Sequence, residues 1–177
     1  MTRIGIVGHR FFATEDINRF VYEQCSSVLK ILKTSGYNNI VALSAMAEGS
    51  DTIFLKAAIS LNIPFEIIRP FEQYVQDFTS VFSRNRYLLL QRSATKEIRL
   101  PYFHRSEDAY FDAMKWVVTN SHVLIAVWDC KEGRGRGGTS DAIKLAVESN
   151  DDWVHIDVTD RSTKFYLKKI SISNKSA

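Results

Sequence analysis

The sequence predicts an α/β fold: a doubly wound, mostly parallel sheet with helices on both faces, in a single domain. Short β-branched apolar runs alternate with stretches of helical periodicity about five times along the 177 residues. Parallel neighbours need a crossover, usually a helix, and such crossovers are right-handed, so this alternation reads as a wound sheet rather than a meander. A hydrophobic content of 45% over that length suffices for one well-packed core and falls short for two. Residues 1–160 are expected to form the ligand-binding domain, and residues 161–177 a C-terminal tail or edge strand.

Residues 3–7 form a short apolar run that ends in Gly8-His9-Arg10. After a brief loop, Ile17, Phe20, Val21, Val28, Ile31 and Leu32 fall on one helical stripe, closed by Gly36. Residues 40–43 resume as a strand. The turn Ser44-Ala45-Met46-Ala47-Glu48-Gly49-Ser50-Asp51 then leads into a helix whose Ile53, Phe54, Ala57, Ala58 and Leu61 face the core. Residues 64–68 read as a third buried strand, ended by Arg69-Pro70. Phe71, Tyr74, Val75, Phe78, Val81 and Phe82 suggest one helix and residues 87–90 a second, with residues 83–86 between them. Residues 96–100 are expected as a fourth strand. Ser106-Glu107-Asp108 offers a cap and acidic first turn for a helix carrying Phe111, Met114, Val117 and Val118. Residues 123–128 are a continuous apolar strand, residues 139–149 a helix, and residues 153–158 a last core strand.

A formal charge of +3, with no long run of Lys or Arg, makes any basic feature local and argues against a nucleic-acid arm or a membrane-surface helix. No apolar stretch has transmembrane length, and Met1-Thr2-Arg3-Ile4-Gly5-Ile6-Val7 enters a strand pattern without a signal-peptide layout, which predicts a cytoplasmic protein. Cys25 and Cys130 are too few for a disulfide framework and too far from clustered histidines to suggest zinc, so free thiols, no metal and no cofactor are expected.

The chemistry concentrates in residues 122–146. An apolar strand runs into Trp128-Asp129-Cys130, then a glycine-rich turn carrying Arg134 and Arg136, then Gly137-Gly138-Thr139 and an amphipathic helix. Glycines let a ligand approach the backbone, the first helical turn presents free amides and the positive dipole end, and forked guanidinium donors suit phosphate. The loop lacks the Gly-Lys-Ser/Thr ending of an NTPase phosphate loop, and residues 5–8 lack the dinucleotide fingerprint, so NTP hydrolysis and hydride transfer are disfavoured. In a wound sheet, ligands sit beyond the carboxyl ends of the strands. The loops expected there offer Arg10, Arg134 and Arg136 for phosphate, and Glu48, Asp51, Asp129 and Asp141 for hydroxyls.

Each residue has a plainer reading as well. Asp129 either accepts from ribose hydroxyls or caps the next turn, and Asp51 is more simply a helix cap than an acid. Glu48 is a ribose ligand, a general base or a cap. Trp128 is expected in the core, Arg10 is a better phosphate ligand than His9, and Arg84 either reaches the site or is solvated. Cys130 has no His or second carboxylate at a recognisable spacing and is read as a bystander.

Taken jointly and in order, several segments resemble the SLOG superfamily, Rossmann-like domains related to the Lonely-guy phosphoribohydrolases and to DNA-processing protein A. They are Val7-Gly8-His9-Arg10, the turn of residues 44–51, Tyr110 ahead of residues 123–129, and Gly137-Gly138-Thr139-Ser140-Asp141-Ala142-Ile143. The sequence is most similar to SLOG domains attached to bacterial antiphage effectors. That resemblance implies a Rossmann-like domain sensing a nucleotide-derived second messenger, such as a cyclic ADP-ribose isomer, through Gly8, His9, Arg10, Glu48, Gly49, Asp51, Arg84, Asp129, Arg134, Arg136, Gly137, Gly138, Thr139 and Asp141. It also implies a homo-oligomer, and a sensor that acts through a separate effector protein, through self-assembly or by sequestering the messenger. Lonely-guy enzymes carry Pro-Gly-Gly-x-Gly-Thr-x-x-Glu. Aligned on Gly138-Thr139, that motif puts Arg134 at the proline and Ala142 at the catalytic glutamate. A binding module is therefore expected before an N-glycosidase using Glu48 or Asp141, and DNA binding after both.

Overall fold

The computed structural model describes residues 1–131, 138–149 and 152–168. Seven strands form one sheet: β1 (Thr2–Gly8), β2 (Ile40–Ser44), β3 (Phe65–Arg69), β4 (Lys96–Arg99), β5 (Val123–Trp128), β6 (Asp152–Asp157) and β7 (Ser162–Tyr166). Their order is β4-β3-β2-β1-β5-β6-β7, parallel throughout except for β7, which pairs antiparallel with β6. Helices α1 (Glu15–Thr34), α2 (Ser50–Ser60), α3 (Val81–Ser93), α4 (Glu107–Asn120) and α5 (Thr139–Glu148) connect them. This is the doubly wound, Rossmann-like arrangement that the alternating pattern predicts.

Strand alternation divides the core into two layers. Ile4, Ile6, Ala42, Ile67, Ile125 and Val154 pack with Val21, Leu29 and Leu32 of α1, Phe54 and Leu55 of α2 and Tyr87 of α3. Val7, Leu43, Ile68, Leu124 and Ala126 face the other way, onto Met114 and Val117 of α4 and Ala142 and Ala146 of α5. Strands buried on both faces read as continuous apolar runs, which is why β1, β2 and β5 were legible.

Helix ends follow their cap residues. Thr14 accepts from the Ile17 amide at 3.3 Å, Ser80 from Ser83 at 3.0 Å and Ser106 from Ala109 at 3.1 Å. Beyond α1, the Tyr37 amide returns to the Leu32 carbonyl at 3.3 Å across Gly36.

Residues 71–92 differ from the two segments expected. Residues 71–80 are a loop with a single 3-10 turn over Tyr74–Asp77, and α3 runs unbroken through residues 83–86. The spacing of Phe71, Tyr74 and Phe78 mimics helical periodicity, but these rings pack edge to face on one another at 5.2 and 5.3 Å between centroids. In α3 the buried face is Ser83, Tyr87 and Leu90, so its stripe begins with a polar residue.

The outer strand β4 carries Lys96, Glu97 and Arg99 around the core-packed Ile98, with Arg99 donating to Glu97 at 2.8 Å. No helix among the described residues is long and apolar enough to cross a membrane.

Candidate functional site

β2, β3 and β4 lie to one side of β1, and β5 and β6 to the other. The winding therefore reverses beside β1, and the loops after β1 and β5 diverge there, leaving a crevice at the strands' carboxyl ends. A cleft of about 890 Å³ occupies that place. Gly8, His9, Arg10 and Phe11 line it from the β1 loop, Ala45, Ala47 and Asp51 from the β2 loop, and Pro70 and Tyr74 from beyond β3. Arg105 and Tyr110 enter from the start of α4, and Trp128, Asp129, Lys131, Gly138, Thr139 and Ser140 from around β5 and α5.

Two loops are fused beneath this cleft. Ser50 donates to the His9 carbonyl through its amide at 3.0 Å and its hydroxyl at 2.9 Å. Gly49 precedes it at φ +81, and a Cβ built there would lie 2.3 Å from the Arg10 carbonyl oxygen. At Gly8 a Cβ would meet Ser50 Oγ at 2.4 Å. Both glycines serve close packing of one loop on the other.

Arg10 is held by Asp77, a residue the sequence did not mark. Its Nη1 donates to Asp77 Oδ2 at 3.2 Å, and its guanidinium lies 4.6 Å from the centre of the Tyr110 ring. Arg105 reaches the other oxygen of Asp77 at 3.3 Å, and the Tyr110 hydroxyl donates to Oδ2. Burial works against the charge on Arg10, but Tyr74, Tyr110 and Asp77 outweigh it and hold its pKa above the ordinary guanidinium value. Two cations are thus oriented on one buried carboxylate, with 40% of the Arg10 side chain open to solvent.

Asp51 is 5% exposed. Ser44 donates to it at 2.7 Å. Burial pushes its pKa up to about 6, against the Ser44 hydroxyl, Arg10 and the Ala45 and Ala47 amides, which favour the carboxylate. With a folded value above the unfolded 3.8, the native state holds the extra proton between the two. The associated stability is complete below pH 4 and is lost as pH rises through about 6. Against Asp51→Asn, wild type should therefore lose on the order of 3 kcal/mol of relative stability between pH 4 and 7.5, taking about 1.4 kcal/mol per pKa unit. Paired denaturant titrations check this, and a flat difference would refute it.

Asp129 closes a turn. Its Oδ1 accepts from the Lys131 amide at 3.2 Å, and its own amide donates to His9 Nε2 at 3.2 Å. Burial opposes its ionisation, but the Lys131 amide and the His9 and Lys131 side chains prevail and keep the carboxyl below the ordinary range. Trp128 is half-buried, packed against the α4/α5 layer of the core while lining the cleft, and its indole donates to the Lys131 carbonyl at 2.7 Å.

Gly8, His9, Arg10, Asp51, Asp129, Gly138 and Thr139 come together around the cleft. Gly49 supports them from below. Glu48 instead faces Arg86 at 3.9 Å, and Arg84 Nε donates to the Phe78 carbonyl at 2.7 Å. Asp141 sits half-buried in the first turn of α5 and is not among the lining residues. Arg134, Arg136 and Gly137 lie outside the described residues. Asp77 and Arg105 went unread because the meeting of two loop residues is set by tertiary packing rather than by spacing in the sequence.

No protein-family model and no curated protein matches the chain. Solved structures do. DNA processing protein A from Helicobacter pylori, in a structure describing its single-stranded DNA binding mode, superposes with a TM-score of 0.60 at 17% identity, over 90% of this chain and 70% of that one. The same protein from Streptococcus pneumoniae gives 0.61 at 16% identity, over 97% of this chain, which spans about half (53%) of its length. A molybdenum cofactor binding protein from Rippkaea orientalis gives 0.54 at 16% identity, over 88% of this chain and 76% of that one. These likenesses show a shared Rossmann-like fold. In this Rossmann-like domain the cleft lies beside the central strand β1, between loops supplied by both halves of the sheet.

Proposed function

We propose that the cleft binds a phosphorylated, nucleotide-derived small molecule, and that the protein is a sensor of that molecule or sequesters it. The observation that carries this reading is the orientation of Arg10 and Arg105 on Asp77 beside the cleft, before any ligand arrives. Donors fixed in advance lose little freedom on binding. Gly138, Thr139 and Ser140 bring the first turn of α5 to the same cavity, where its amides and dipole favour an anion. Asp129, beside His9 in the lining, supplies an acceptor for hydroxyls, and the cavity volume suits a ligand of nucleotide size. Neither Glu48 nor Asp141 lines the cavity, which favours binding over an N-glycosidase reaction driven by those two carboxylates.

The sequence resemblance to sensor domains of antiphage effectors makes cyclic ADP-ribose isomers the first ligands to try. The purified protein should be incubated with these, with ADP-ribose, NAD, AMP and cyclic dinucleotides, and with a phosphorylated pterin. Bound and free pools are then resolved by chromatography with mass detection. Recovery of one species intact and bound is the expected result. Release of a free base with ribose phosphate would replace this reading with a hydrolase.

A second reading, single-stranded nucleic acid, has its own support. Phe11 lines the cleft with 75% of its surface exposed, and Phe103, 61% exposed, lies two residues from Arg105. Exposed rings beside arginines can stack successive bases. Capture of an oligothymidine that competes with no nucleotide of the panel would favour this reading.

A further inference from the structure

The carboxyl end of β5 carries a second cluster, outside the residues that line the cleft. Parallel pairing sets Trp128 opposite Asp157 and Ala126 opposite His155. His155 and Asp157, two apart on β6, share one face of the sheet. Two residues beyond Trp128, at φ +60, the chain turns so that Cys130 Sγ lies 3.7 Å from Asp157 Oδ2 and 4.0 Å from His155 Nε2. One donor atom from each residue lies within 4.8 Å of the other two.

We propose that Cys130, His155 and Asp157 bind a divalent transition-metal ion of the zinc class. The donor set, one thiolate, one imidazole and one carboxylate, is borderline-soft and suits such an ion. Bonds of about 2.3 Å to sulfur and about 2.0–2.2 Å to nitrogen and oxygen, at tetrahedral angles, set donors about 3.3–3.6 Å apart. Closing from separations of 3.7 and 4.0 Å to Cys130, and within 4.8 Å overall, takes side-chain shifts in which the exposed Cys130 has the most room to move.

The surroundings already orient the donors. Asp157 Oδ1 accepts from the Thr159 and Asp160 amides at 2.8 and 3.0 Å, which leaves Oδ2 on the Cys130 side. The His155 ring is held between Trp128 and Trp153, with centroids 5.9 and 6.0 Å away. Nε2 lies 3.1 Å from the Trp128 carbonyl, which can only accept, so without metal Nε2 carries the proton. Coordination through Nε2 moves that proton to Nδ1, and the Cys130 thiol gives up its own to solvent. Three protein donors leave one tetrahedral position for water or an exogenous ligand. The ion would tie the exit of β5 to β6 and so brace the wall formed by Trp128 and Asp129.

The full-length protein titrated with Co²⁺ tests this. Expected are a thiolate-to-cobalt charge-transfer band in the near ultraviolet, saturation at one ion per chain, and displacement by Zn²⁺. Cys130→Ser, at an exposed position that does not threaten the fold, should abolish the band. His155→Gln and Asp157→Asn should weaken binding at least about tenfold. Absence of the band, or its persistence in Cys130→Ser, would overturn the proposal.

Discussion

Gly49→Ala should lower the melting temperature by roughly 6–12 °C, corresponding to about 3 kcal/mol at about 2–4 °C per kcal/mol for a chain of this size. The residue sits at φ +81 and ψ −123, where a side chain is strained whatever the space. Space is also lacking. The added Cβ would lie 2.3 Å from the Arg10 carbonyl oxygen, 2.4 Å from that of His9 and 2.5 Å from the Arg10 carbonyl carbon. These are backbone atoms, so relief requires the β1 loop to move, which stretches both Ser50 bonds to the His9 carbonyl. Because Arg10 is carried by that loop, ligand affinity should fall together with stability. Thermal unfolding followed by circular dichroism measures the first effect. A change under about 2 °C would show that the two loops are not locked together.

Arg10→Glu should weaken binding of a phosphorylated ligand at least about 100-fold, since a charge-assisted hydrogen bond contributes about 1.5–3 kcal/mol and the substitution adds repulsion. The new carboxylate would face Asp77, leaving Arg105 as its cationic partner beside the Tyr110 hydroxyl. Arg10→Gln separates the two effects. It keeps a donor for Asp77 and removes only the charge, so its loss should be smaller, about tenfold. Calorimetric titration with the ligand recovered from the panel supplies both numbers. Equal affinity in wild type and Arg10→Glu would move the anion site away from Asp77.

The fold was legible because its central strands are buried on both faces and most of its helices carry clear stripes. Ile4, Ile6 and Val7, or Leu124, Ile125 and Ala126, leave little choice. Residues 71–80 misled because an aromatic cluster in a loop repeats at helix-like intervals, and only Pro70 and the Ser80 cap bound it. Of the site, the parts that end strands or begin helices could be read in the sequence: Gly8, Arg10, Asp51, Asp129 and Gly138. Asp77 and Arg105 could not, because a loop residue's partner depends on tertiary packing. Nor could the meeting of Cys130 with His155 and Asp157, 25 and 27 positions away, which depends on the pairing of β5 with β6. Knowing those strands to be adjacent and parallel would have been enough to find it.

The charged outer strand β4 bears on how the molecule behaves in a crowd. An open parallel edge is a template for another chain, and a row of Lys96, Glu97 and Arg99 makes that addition unfavourable by stranding charges in a growing ladder. Fibril-like propagation through this edge is thereby discouraged even at high concentration. Among the described helices, α3 presents a cluster of exposed apolar side chains on which copies could meet instead, with Val81, Phe82 and Leu89 each at least 66% exposed.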